Sequence, residues 1–495
     1  MKNAPIRLTL LLASLLPAAL TAPAFAKTSK TENEGTKLKR LFKRSDEAGL
    51  RRNPVEALFR GDQRYADHLG DLFSDAHFAA ERTAIAADLK QLKKINRAAL
   101  GPTDALAYDV FKWQSEINLR GLAPALLALT AVRPIDHFGG IQTWYPDLAS
   151  GEGAAKFETV ADYAANLKRH QDYIRTLDAA IGRFREGMKA GVVQPRLVVQ
   201  NVIDQLDLQR AQGVEGSTFY APALKFPASV GAADQVRLKA AYAAAIRDGI
   251  DPAYHRLRDF LKNEYLPASR ETVGLSALPG GAKLYDYEIE ANTTVAMSAD
   301  QVHQLGLSEV ARIRSDMEVI RRQMGYQGDL KSFFDTFRDA PEYKFKSRDD
   351  MKNSFVAIGK IVDSHVASQF AVLPKTRLEI RPVPDYREKT DAGGSYNQGA
   401  QDGSRPGIFY FNAYDLPSRS KPESETLYLH EAVPGHHFQI SLAQENEALP
   451  AFMRFGGNTA YVEGWALYAV SLWNEMGVEQ TPAGRFGGLY VVMLR

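Results

Sequence analysis

"SADQVHQLGLSEVARIRSDMEVIRRQM", residues 298–324, decides the fold class. Ser298 and Gln301 form a capping-box pattern, in which each side chain satisfies a backbone N–H that the first helical turn leaves open. Val302, Leu305, Val310, Ile313, Met317 and Ile320 recur at the helical period and fall on one stripe, which reads as a core face. "ADYAANLKRHQDYIRTLDAAIGRFREGMKAG" (161–191) has the same texture and stops at Gly191. Such helices are expected from about residue 45 to 370. Loops rich in Gly and Pro, such as "HFGGIQTWYPDLASGEG" and "LSALPGGAKLYD", separate them.

The chain of 495 residues begins with Lys2 and Arg7, an apolar run "LTLLLASLLPAAL", and a small-x-small site at Ala24-Phe25-Ala26. Residues 1–26 therefore read as a cleavable secretory signal, too short to span a bilayer. Without Lys2 and Arg7 the basic and acidic residues balance at 59 each, which points to no nucleic-acid partner and no stable membrane insertion. The chain has no cysteine, so neither a lipidated cysteine nor a disulfide is available. A soluble exported protein, periplasmic or secreted, is the expectation. Residues 27–44, rich in charge, read as a mobile segment ahead of the helical region 45–370.

The texture changes in the remaining region, 371–495. "RLEIRPVP" and "GIFYFNAYD" read as a strand pair around the Gly-rich loop "DAGGSYNQGAQDGSRPG", and Pro382, Pro384 and Pro406 confine those strands to an edge or a sheet end. An open edge beside a histidine-rich helix could hold an extended peptide. A small structural hairpin accounts for the same residues.

"LYLHEAVPGHHFQI" (427–440) carries three of the ten histidines. Zinc takes about four ligands, with nitrogen at roughly 2.0–2.1 Å. Two histidines on one unbroken helix must then sit one turn apart. His430 to His437 is nearly two turns, about 10 Å of rise, and His436 would point to another side. Pro434-Gly435 alters this, because proline breaks the helical hydrogen bonding and glycine opens conformations closed to other residues. A looped-out insertion would return His436 or His437 to the metal, and the spacing leaves that choice open. Glu463, in the apolar helical segment "NTAYVEGWALYAVSLW", is the expected third ligand, since a carboxylate among such residues is costly unless paired or metal-bound. Tyr468 and Tyr461 are candidate donors to a developing oxyanion. Arg405 and Arg454 are candidate anchors for a substrate carboxylate. Glu431 would act as general base toward a metal-bound water.

"DGSRPGIFYFN", "LYLHEAVPGHHFQ" and "YVEGWALYA", in that order, with "ANTTVAMSADQVHQLGLSEVARI" upstream, resemble bacterial domain-of-unknown-function family 885. These are large helical exported proteins often suggested to be metallopeptidases. More distantly the arrangement is similar to the zinc peptidases related to angiotensin-converting enzyme and thimet oligopeptidase. The resemblance implies His430, His436 or His437, and Glu463 as ligands of one zinc ion, and Glu431 as base. It implies a mainly α, zincin-like fold with a central cleft and a small β-sheet next to the metal-site helix. Members of the family continue well past "GRFGGLYVVMLR", so a chain truncated at its C-terminal end is expected.

The expected function is a zinc-dependent hydrolase, a peptidase acting on short peptides. The alternatives are an exported metal-binding or peptide-binding protein without turnover, and a metal-dependent hydrolase of non-peptide amides or esters.

Overall fold

The computed structural model describes residues 32–494; the expected signal segment, 1–26, lies outside them. The charge-rich start is helical from residue 34 onward. Helix α1 (Glu34–Arg52) is capped by Asn33, whose side chain accepts from the Thr36 N–H. Its residues Leu38, Leu41 and Phe42 are buried with Leu92 of α2 (Asp75–Leu92) and with Ala107, Tyr108 and Phe111 of α3 (Pro102–Gly121). The abundant Lys, Arg and Glu hide this stripe in the composition. Three apolar residues at helical spacing are enough to dock the helix.

The largest core lies between α4 (Val160–Ala190), α5 (Arg196–Ala211) and α6 (Asp251–Phe260). Helix α4 starts at a capping box, Thr159 with Asp162, and ends where Gly191 adopts φ 69°, the left-handed conformation that glycine enters without Cβ strain. Several polar groups inside this core are paired. The hydroxyls of Tyr173 and Tyr254 lie 2.8 Å apart, and Tyr254 donates to Gln209 Oε1 at 2.8 Å, as burial demands.

Helices α7 (Gly281–Thr293) and α8 (Ala299–Gln323) lead toward the C-terminal region. The capping box at Ser298 and Gln301 is formed. The stripe on α8 is core over only half its length: Ile313, Met317 and Ile320 are buried, whereas Leu305 is 55% exposed and Val310 39%. The buried half packs in one cluster with Phe333, Phe337 and Phe486; the exposed half extends past that cluster.

Beyond α9 (Arg348–Gln369) the expected strand pair is a three-stranded sheet in the order β1-β3-β2. β1 (Leu378–Pro382) runs parallel to the fully buried β3 (Gly407–Phe411). β2 (Gly394–Asn397), from within the Gly-rich loop, runs antiparallel to β3 and forms an edge. The sheet packs on α9 through Phe355, whose ring lies 4.9 Å from that of Phe409. In the same cluster are Tyr428 and Leu429 of α10 (Lys421–Glu431) and Phe438 of α11 (His436–Glu445). Helices α12 (Thr459–Ser471) and α13 (Pro482–Leu494) complete this region. The fold is mainly α with a small sheet. Among the described residues no helix is long and apolar enough to cross a membrane.

Helix α10 rests on a buried acidic contact. Thr426 Oγ1 donates to the Glu479 carboxyl at 2.5 Å, and the Glu479 N–H donates to Glu425 Oε2 at 2.6 Å. Burial raises both carboxyls above the ordinary range, Glu479 to about 7. The folded chain thus holds a proton that the unfolded chain releases near 4.5. The associated stability is complete below that pH and is lost as pH rises through about 7. The protein is expected to unfold at lower urea concentration at pH 8 than at pH 5. Glu479→Gln should narrow that gap by roughly 2–3 kcal/mol. An unchanged gap would mean that this contact does not set the pH dependence.

Candidate metal centre

Helix α10 ends at Glu431, and the Ala432 N–H closes its last turn on Tyr428 O at 2.8 Å. The chain then turns through Val433-Pro434, a cis peptide, and restarts as α11 at His436. The insertion therefore separates two helices. Gly435 lies against the end of α10: a Cβ there would stand 1.9 Å from His430 O and 2.3 Å from Leu429 O. Only glycine allows this approach, and the approach brings the start of α11 beside His430.

The result is a convergence of His430, His436 and Glu463, whose candidate ligand atoms all lie within 4.8 Å of one another. His430 Nε2 is 3.3 Å and His436 Nε2 3.6 Å from Glu463 Oε2, and the two imidazoles meet edge to face with centroids 4.6 Å apart. Ligands on a tetrahedral zinc with bonds of about 2.0–2.1 Å stand about 3.3 Å apart, so the donor set and spacing fit that ion. Both histidines are buried, while the Glu463 side chain is half exposed. The apolar surroundings expected for Glu463 are only partly present, because Leu467 faces solvent and Val470 is buried.

His437 does not join them. One residue on along α11 it is turned about 100°, toward the sheet. There its Nδ1 lies 3.1 Å from Tyr396 Oη. Burial lowers its pKa to about 4, which keeps it neutral. Gly407 gives this pair room, since a Cβ would stand 2.3 Å from Tyr396 Oη and 2.8 Å from His437 Nδ1. Of the paired histidines, His436 is the one brought to His430 and Glu463.

Glu463 is positioned by contacts at both ends of its helix segment. Asn458 caps α12 and donates to Ala291 O at 3.2 Å, and Thr459 donates to Asn292 at 3.0 Å. Trp465 Nε1 donates to Pro434 O at 2.7 Å, tying α12 to the loop between the two histidine helices. The tryptophan and Tyr396 escape a reading of spacing alone. The indole sits among apolar residues, and Tyr396 lies in a stretch that reads as a loop.

A cavity of about 600 Å³ opens over the cluster. His430, Glu431, His436 and Glu463 line it, together with Gly394, Ser395 and Tyr396 of β2 and with Arg419, Ser420 and Glu423 at the start of α10. The other candidates are elsewhere. Tyr468 is 53% exposed with its ring against Trp465, and Tyr461 is 60% exposed; neither lines the cavity. Tyr468 follows Glu463 by five residues, which turns it about 140° around the helix. Arg405 donates to the backbone carbonyls of Gln398 and Phe59, and Arg454 to that of Gln444, so both side chains are engaged with the backbone.

No curated protein matches the chain. A crystal structure of a "putative lipoprotein" from Colwellia psychrerythraea superposes with a TM-score of 0.84 at 21% identity, covering 93% of this chain and 81% of that one. A "putative lipoprotein of unknown function" from Shewanella oneidensis gives 0.61 at 16% identity, covering 92% and 80%. At such identities the likeness is one of fold, and neither description names a metal or an activity. Residues 54–495 match the model of the family described as "Bacterial protein of unknown function (DUF885)", and the chain belongs to that family.

Proposed function

We propose that this protein is an exported zinc-dependent hydrolase of short peptides. The observation that carries the reading is the approach of two imidazole Nε2 atoms and one carboxylate oxygen at 3.3 and 3.6 Å, beside a further carboxylate, Glu431, in the same cavity. His430, His436 and Glu463 would hold the ion. When bound there, zinc would acidify a water molecule and polarise a carbonyl oxygen.

The remaining work falls to the chain. Glu431, next to His430 at the end of α10, takes a proton from the attacking water and returns one to the leaving amine. Its burial limits competition from bulk water. In the overall step the C–N bond breaks, the acyl carbon gains the water's hydroxyl and the amine gains its proton. The open edge of β2 offers backbone N–H and C=O groups to an extended substrate, which favours peptides over other amides and esters. A protein that only stored metal would need no second carboxylate at the cluster, so Glu431 also favours turnover over binding alone.

Purified protein should contain close to one zinc per chain by elemental analysis, and His430→Ala should lose it. Glu431→Gln should keep the metal yet lower peptide hydrolysis by at least about 100-fold, the usual scale for a general base. A wild-type chain that retains no zinc after reconstitution would sink the proposal.

Gly435→Ala tests the geometry beneath it. The added methyl must push the loop away from His430, so zinc retention should fall by more than about ten-fold, since a three-ligand site depends on all its ligands. Helix content by circular dichroism should stay near that of the wild type. Unchanged zinc affinity would show that the close approach is not what joins the two histidines.

A further inference from the structure

The cavity over the cluster is electrostatically lopsided. Glu431 and Glu463 lie at the histidine end, whereas Arg419 is the one Lys or Arg among the lining residues and stands at the opposite end, where α10 begins. Arg419 is partly buried, and among the described residues its side chain gives one hydrogen bond, from Nε to Tyr414 O at 3.3 Å. It makes no ion pair within 4 Å among the described residues, and the nearest acid that it influences is Glu423.

Beside it, Ser420 is the N-cap residue of α10 but its side chain caps nothing. The residue is 7% exposed and lines the cavity, and its buried Oγ has no hydrogen-bond partner among the described residues. A buried hydroxyl without a partner is costly, and here it sits at the positive end of a helix of 11 residues next to an unpaired guanidinium. The guanidinium and the hydroxyl are donors of the kind that take a carboxylate. Glu423 shares this end of the cavity. Burial raises its carboxyl to about 7, with Arg419 and Lys344 opposing the shift.

Strand β2 measures the distance from this end to the cluster. At its start, a Cβ on Gly393 would stand 3.8 Å from Arg419 Nη1. At its far end Tyr396 touches His437, the neighbour of His436. Three residues of extended chain span about 10 Å. A peptide whose C-terminus reaches Arg419 while an upstream amide lies at the cluster runs opposite to β2, in the antiparallel sense. We propose that Arg419 and Ser420 bind the free C-terminal carboxylate of a short peptide laid along β2, so that the enzyme releases a short fragment of a few residues from the C-terminus. This rests on the peptidase reading above for the cut, though not for the binding.

The test uses random-sequence hexapeptides with an N-terminal dansyl group, made as free acids and as C-terminal amides. They are titrated by fluorescence anisotropy into the full chain carrying Glu431→Gln, so that turnover does not mask binding. The acids should bind about 10- to 100-fold more tightly than the amides, the scale of charge-assisted hydrogen bonds. Adding Arg419→Gln should abolish the difference by weakening the acids alone, and Arg419→Lys should restore part of it. Equal binding of acids and amides, binding of neither, or a preference that survives Arg419→Gln would overturn the proposal. Zinc content separates the two failures. Metal-free chains that still prefer acids would overturn only the metal reading, and zinc-loaded chains without the preference would overturn only the carboxylate subsite.

Discussion

The approach of Gly435 to the last carbonyls of the His430 helix is the contact on which the site depends. A helix carrying both His430 and His436 in one run would splay their rings to different sides and separate them by about 9 Å of rise. Ending the helix at Glu431 and seating a glycine against His430 O and Leu429 O turns that separation into a ring contact of 4.6 Å. The turn is short because a single residue without a side chain can lie where any other would collide. The chemistry of the two imidazoles is thus set by a backbone contact rather than by the histidines themselves.

That contact holds its shape because the elements around it are packed on three sides. The sheet and α9 press Phe355, Phe409 and Phe411 against Tyr428 and Leu429, the helix face opposite the cavity. Below, the buried contact of Thr426, Glu425 and Glu479 satisfies polar groups that would otherwise cost stability inside the protein. From the third side, Trp465 bonds to Pro434 O and carries Glu463 with it. The carboxylate is therefore located by an indole two residues away on its own helix. This arrangement is stiff where two buried histidines need it and open where Glu463 meets the cavity.

Much of the fold was legible in the sequence because helices announce themselves locally. The capping box at Ser298 and the stop at Gly191 depend on residues three or four apart, and the structure forms both. Burial was less legible. The stripe on α8 has the right period along its length, yet only Ile313, Met317 and Ile320 meet a partner. Conversely, Leu38, Leu41 and Phe42 were masked by surrounding charge and proved to anchor α1. Strand β2 escaped notice because Gly-Ser-Tyr-Asn has turn-forming composition and becomes a strand only by pairing with β3.

At the site the same division holds. The residue types and the interruption at Pro434-Gly435 determined that His430 could be joined by a second histidine, with Glu463 as the carboxylate to expect. Spacing could not choose between His436 and His437, which are adjacent and differ only in the direction they face once a helix restarts. Tertiary structure decided it by beginning α11 at His436, which points one ring at Glu463 and the next at Tyr396. It also removed Tyr468, Arg405 and Arg454 from the cavity and put Arg419 and Ser420 in it. The physical reason is that residue chemistry and helical period are local properties of the chain, whereas the direction a side chain faces across a cleft depends on how distant segments pack.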